Sequence, residues 1–209
     1  MESEQSQQAA PHSDTGNVLF PIFLKADQIK ILVLGAGPVG LEKLTALLGN
    51  SPDADVTVIA QDILPEVSSL CGQYPQVTLI KRPYHISDLT GFRIVIAAVN
   101  NRLLSEQIRQ EAKAAGLLVN IADTPDLCDF YLGSIVKKGH LKMAISTNGK
   151  SPTMAKRLKE MLQETLPEEM DQLLDNLQQI RKGMKGDFQE KVRQLNEITA
   201  VLVATKNQS

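Results

Sequence analysis

Residues Ile29–Gly40 read IKILVLGAGPVG, and this stretch decides the fold. Its first six residues, Ile29–Leu34, are apolar apart from Lys30, as expected of a strand covered on both faces. The chain then enters Gly35-Ala36-Gly37-Pro38-Val39-Gly40, a GxGxxG directly after a strand and directly opening a helix. Each glycine has a role in that setting. Gly35 permits the tight turn, Gly37 lets a pyrophosphate approach the backbone, and Gly40 lets the helix pack on the strand. The free amides and dipole of the helix start favour the phosphates.

Outward from this motif, short apolar runs alternate with helical patterns. DVTVIA ends at Ala60, VTLIKR at Arg82, RIVIAA at Ala98 and LLVNI at Ile121. Between them, Val39, Leu44, Leu47 and Leu48 share one helical face, stopped by Gly49-Asn50. A second stripe runs from Leu64 through Val67, Leu70, Cys71 and Tyr74. A third, Leu104, Ile108, Ala112 and Ala115, is closed by Gly116. The connection from Arg82 to Arg93 is too short for a full helix. The alternation predicts an α/β fold, a Rossmann-like doubly wound parallel sheet.

In such sheets ligands sit beyond the carboxyl ends of the strands. That rim collects Gly35–Gly40, Gln61, Asp62, Val99, Asn100, Asn101 and Asp123. The acidic residue that commonly closes the second strand is missing. Asp62, two residues on, has two readings: a ribose ligand, or a cap for a helix starting near Ile63. No Arg or Lys follows the strand, which favours NAD over NADP. Asp123 also has two readings, a base beside the nicotinamide or a turn carboxylate in Asp123-Thr124-Pro125.

After Asp123 the pattern changes. Phe130–Ser146 reads as two strands around Lys138-Gly139. Ser151-Pro152 starts a helix carrying Met154, Leu158, Met161 and Leu162. A second helix shows Met170, Leu173, Leu174, Leu177 and Ile180, and a third Phe188, Val192, Leu195, Ile198 and Leu202. Lys137, Lys138, Lys142, Lys150, Lys156, Arg157 and Lys159 fall in a stretch without Asp or Glu. Such a field suits a polyanion, or is a solvated basic face balanced by the acidic run that follows. The loop Thr147-Asn148-Gly149-Lys150 offers a hydroxyl, amides and a lysine to an anion, or simply caps the helix. The expected division is a polar, flexible tail over 1–16, a nucleotide-binding domain over 17–125, an extended segment over 126–150 and a helical domain over 151–209.

Composition sets the bounds. The chain has 209 residues, 43% hydrophobic and 22% charged, ordinary for a protein that buries a core. No run approaches the ~18 apolar residues of a membrane span. The opening residues do not read as a signal peptide. A net charge of −2 argues against a dedicated nucleic-acid binder. Two distant cysteines, Cys71 and Cys128, suggest a reducing cytoplasm. His12, His85 and His140 are scattered without zinc spacing, so no metal site is expected.

Three pieces add a resemblance: Asn17–Phe23 (NVLFPIF), then ILVLGAGPVGLEKL, then VNIADTPDLCDFYLGSIVKKGHLKMAISTNGKSPTMAKRLKE. Together they resemble the siroheme synthase dehydrogenase/ferrochelatase family, in particular its stand-alone precorrin-2 dehydrogenase branch. The resemblance implies NAD-dependent oxidation of precorrin-2 to sirohydrochlorin. In bifunctional members ferrous iron, a substrate, is then inserted to give siroheme. It implies a homodimer whose interface is built by the middle segment and the helical domain. It assigns the essential aspartate to Asp123 and cofactor contacts to Pro38, Val39, Gln61 and Asp62. It aligns Thr147 with a serine that one branch phosphorylates. With a tetrapyrrole polycarboxylate as substrate, Lys137, Lys138, Lys150, Lys156, Arg157, Thr147 and Asn148 become candidate substrate contacts. Departures from the family pattern fall at Ala36, at Tyr131-Leu132-Gly133-Ser134 and at Asn148-Gly149. No methyltransferase domain is expected. The competing reading is an NAD-sensing Rossmann regulatory module, which needs neither Asp123 nor the acid-free basic stretch.

Overall fold

The computed structural model describes residue 17 and residues 19–200. The expected tail over 1–16 and the helical position Leu202 lie outside the described residues. The chain divides into two compact units. One runs through Tyr131 and takes in Asn148–Lys150; the other comprises Leu132–Thr147 and the chain from Ser151 onward.

In the first unit, β1 (Ile31–Ala36), β2 (Val56–Ile63), β3 (Val77–Lys81), β4 (Ile94–Ala97) and β5 (Leu118–Ile121) form one sheet in the order β3-β2-β1-β4-β5. Every pairing is parallel. Alternation along β1 explains its unbroken apolar run. Ile31 and Val33 join one core with Leu44 and Leu48 of α1 (Pro38–Asn50) and Val67 of α2 (Pro65–Cys71). Leu32 and Leu34 join the other core with Ile108 and Ala112 of α3 (Arg102–Ala114). Full burial of each such Leu, Ile or Val side chain contributes roughly 1.5–3 kcal/mol. No helix follows β3. A 3-10 turn over Ile86–Leu89 takes its place and inserts Leu89 into the second core.

Several boundaries differ from the sequence reading. β1 starts at Ile31 and runs through Gly35-Ala36, so the glycine motif begins inside the strand. The Ala36 carbonyl accepts the Leu64 amide at 3.1 Å, which extends the ladder. β2 does not end at Ala60. Leu34 pairs with Ile59 and Ala36 with Ile63, so Ala60, Gln61 and Asp62 bulge opposite Gly35 and pairing then resumes. Gly49-Asn50 does not stop α1: both residues are helical, and the Ser51 amide closes the helix onto Leu47 at 2.8 Å. α2 is shorter than its apolar stripe, because Tyr74 lies beyond it in a turn.

In the second unit, β6 (Ser134–Lys138) and β7 (Leu141–Ile145) form an antiparallel hairpin, with Gly139 at φ +52° in the turn. α4 (Pro152–Thr165) packs on this hairpin, and α5 (Met170–Gly183) packs with α6 (Phe188–Thr199). Among the described residues, Val136 and Ala155 are the buried side chains of this unit. Neither α5 nor α6 buries any.

Candidate functional site

The glycine turn between β1 and α1 is tight on two sides and open on the third. Gly35 has φ +102°, and a Cβ there would collide with the Ala98 carbonyl oxygen that follows β4. A Cβ at Gly40 would strike the Gly35 carbonyl oxygen. Gly37 differs: a Cβ there would meet nothing within 4 Å. Gly37 is also the N-cap of α1, with Pro38 in the first turn and no side chain capping the helix. The space beside Gly37, at the N-terminus of α1, is therefore open, as a dinucleotide pyrophosphate requires. Pro38 is exposed and Val39 half-buried.

The remaining rim residues of the first unit stand at the carboxyl ends of the same sheet. Gln61 and Asp62 are exposed on the β2 bulge. The cap reading of Asp62 is overturned. It lies within β2, and Leu64 occupies the N-cap of α2 without a side-chain cap. The bulge is the reason, since it carries the strand past the residues where the apolar run ends. Val99 and Asn100 follow β4, and Asn101 then caps α3 through a 3.1 Å bond from the Leu104 amide.

Asp123 follows β5, exposed, at φ +57°. A left-handed backbone is uncommon outside glycine, and Asp and Asn tolerate it best. The turn is held by a polar clamp that sequence reasoning missed. The Asn120 amide donates to the Phe130 carbonyl at 2.9 Å. The Cys128 thiol accepts from the Ile121 amide at 3.2 Å and lies 3.2 Å from the Ile121 carbonyl and 3.4 Å from that of Thr124. Asp129 accepts from the Val119 amide at 3.0 Å and pairs with Arg109. That guanidinium holds the Asp129 carboxyl below its ordinary value, while burial pushes the Cys128 thiol up. Cys128 and Asp129 stood inside the quoted VNIAD…CDF piece, but nothing in their spacing announced a clamp.

A second ion pair was also missed. Arg82 makes a two-pronged contact with Asp88, both bonds 2.7 Å, and gives a further bond to the Pro83 carbonyl at 2.9 Å. Asp88 also accepts the His85 amide at 2.8 Å, and His85 caps the 3-10 turn. Tyr84 ties the same loop to α3 by donating to Glu111 at 2.6 Å. Burial, with the Glu111 carboxylate beside it, raises the Tyr84 hydroxyl.

The other candidates fall on different elements. Lys150 groups with the first unit; Lys137, Lys138, Lys156 and Arg157 belong to the second. Lys138 pairs with Glu168, and Arg157 with Glu160 at 2.8 Å, so acidic residues beyond the basic stretch take up part of its charge. Among the described residues, Lys137, Lys150 and Lys156 make no ion pair. Thr147 accepts from the Ser151 amide at 3.1 Å, and Ser151 caps α4 by accepting from the Met154 amide at 3.1 Å. Asn148 sits at φ +51°. His140 stands in the hairpin turn, its amide bonded to Asp171. Among the described residues, no group of three or more His, Cys, Asp or Glu is arranged to hold a metal ion, and no helix is long and apolar enough to cross a membrane.

Comparison with known proteins agrees with this geometry. Residues 22–134 match the family described as "Putative NAD(P)-binding", and residues 138–165 the one described as "Sirohaem biosynthesis protein central". The chain is 34% identical over 173 residues to a siroheme synthase of Psychrobacter cryohalolentis, covering 83% of this chain and 32% of that protein. A siroheme synthase of Pseudoalteromonas atlantica is 34% identical over 169 residues, 81% of this chain and 36% of that protein. The chain thus spans about a third of the length of the curated relatives it matches. Among solved structures, SirC, precorrin-2 dehydrogenase, superposes with a TM-score of 0.69 at 23% identity, covering 86% of this chain and 89% of that one, which shows the shared fold. With more than half of its length in the first match, the chain belongs to the family described as "Putative NAD(P)-binding", and the segment that follows is the one described as "Sirohaem biosynthesis protein central", as in siroheme synthases.

Proposed function

We propose that the protein oxidises precorrin-2 to sirohydrochlorin with NAD as acceptor. The observation that carries this reading is the rim of the parallel sheet. One unit holds a glycine cradle open at Gly37 and an exposed carboxylate, Asp123, on a clamped left-handed turn. Gly35, Gly37, Val39 and Gly40 seat the pyrophosphate, with Pro38 lining the turn. Gln61 and Asp62 meet the adenosine ribose, and Val99 and Asn100 flank the nicotinamide side. Bound NAD supplies the hydride acceptor. Asp123 takes the proton that leaves with the hydride, which completes the two-electron oxidation.

The substrate is a polycarboxylate. Lys137, Lys138, Lys150, Lys156 and Arg157, with Thr147 and Asn148, are its proposed partners. The protein acts as a homodimer, as its family resemblance implies, and ferrous insertion, the second step of bifunctional members, is the activity to test beside the oxidation. The test is anaerobic. Purified protein, NAD and precorrin-2 should produce NADH and sirohydrochlorin in equal amounts. Sirohydrochlorin with ferrous iron should give siroheme above the uncatalysed rate. Binding of NAD without NADH formation would leave a nucleotide sensor instead.

A further inference from the structure

β3 runs beside β2 at the edge of the sheet, and its exit adjoins the ribose end of the site. Ala60 pairs with Lys81, and the Arg82 amide donates to the Ala60 carbonyl at 3.0 Å. Arg82 therefore stands next to Gln61, where a doubly wound sheet reads the adenosine ribose. An arginine at that place is what a 2′-phosphate needs. Here its terminal nitrogens are already committed. Both bond Asp88, and one also bonds the Pro83 carbonyl. The Asp88 side chain is 8% exposed and fixed by the His85 amide, whereas that of Arg82 is 41% exposed. The carboxylate is thus the anchored partner and the guanidinium the held one. The neighbouring Asp62, exposed on the bulge, adds a negative charge that suits a ribose hydroxyl and opposes a phosphate.

We propose that Asp88 sets the cofactor preference of this site by holding Arg82 away from a 2′-phosphate, so that the protein takes NAD in preference to NADP. Asp88 is a positioning residue, acting through Arg82. The proposal rests on reading this rim as a dinucleotide site, and binding alone tests it.

The experiment is calorimetric titration of the full chain with NAD and with NADP. Wild type should bind NAD more tightly. Asp88→Asn keeps an acceptor for the His85 amide but loses the charge that holds the guanidinium. It should strengthen NADP binding about tenfold, the size of one charge-assisted contact, and leave NAD within about twofold. Adding Arg82→Gln to Asp88→Asn should abolish the gain, which separates Arg82 from nearby Lys81. Asp88→Glu should keep the wild-type preference. If Asp88→Asn does not fold, Asp88→Ser carries the same expectation. An unchanged NADP-to-NAD ratio in the folded variant overturns the proposal, as does a gain that survives Arg82→Gln or a wild type without preference. Wild type that binds neither nucleotide overturns the dinucleotide reading with it.

Discussion

Gly37 and Gly40 lie in the same turn and respond to an added side chain in opposite ways. Open space surrounds Gly37, whereas a carbonyl oxygen blocks Gly40. Gly37→Asp should therefore fold with a melting temperature near wild type yet lose NAD binding, because its carboxylate takes the pyrophosphate position. Gly40→Ala should instead cost about 1–3 kcal/mol of stability, the usual range for forcing a methyl into packed structure. Calorimetry and thermal melts on the two variants separate these outcomes; a Gly37→Asp protein with intact affinity would remove the site. At Asp123 the informative change is Asn. It tolerates the same left-handed backbone at φ +57°, so the turn survives, but it accepts no proton. The dehydrogenase rate should fall by ~10²–10⁴ with NAD affinity retained, and any chelatase rate should fall less. A near wild-type rate would return Asp123 to the role of a turn residue.

Two loop clamps do at the level of elements what the glycines do at the level of residues: they fix where the rim of the sheet ends. Asp88 and Asp129 each sit below the ordinary aspartate value of 3.8, held there first by Arg82 and Arg109 respectively. Depressed carboxylates contribute stability that is fully present above the ordinary value and is lost as pH falls through the folded value. The urea midpoint should therefore hold steady near neutrality and drop below about pH 4. Asp88→Asn should flatten part of that drop; an acid profile identical to wild type would mean that the Arg82 pair contributes nothing. These clamps were not legible in the sequence, since an Arg and an Asp six or twenty residues apart, paired through loops, carry no periodicity. The five parallel strands were legible, because strands buried on both faces need unbroken apolar runs, as at Leu32–Leu34. The end of β2 was not, because Gln61 and Asp62 are polar residues on a bulge and the apolar signal stops before them. Asp123 follows β5, as its place after the last apolar run of the sheet predicts, but its backbone angle has no sequence signature beyond its being an aspartate.

The molecule as a whole divides its buried surface unevenly. The sheet unit holds two apolar cores, whereas the hairpin-and-helix unit buries Val136 and Ala155 among its described residues. The sequence pattern changes after Asp123; the compact units divide between Tyr131 and Leu132, with Asn148–Lys150 in the first. The apolar stripes of α5 and α6 leave Leu173, Ile180, Phe188, Val192 and Ile198 exposed in the single chain. That imbalance sets a timescale. Backbone amides of β1 and β4 can trade their hydrogens for deuterium only when the whole sheet opens, whereas those of α5 and α6 need only a local fraying. Mass spectrometry of the dilute chain in heavy water should find the two helices labelled long before the sheet. Slow labelling that sets in as the chain is concentrated would mean that a second copy has closed over them.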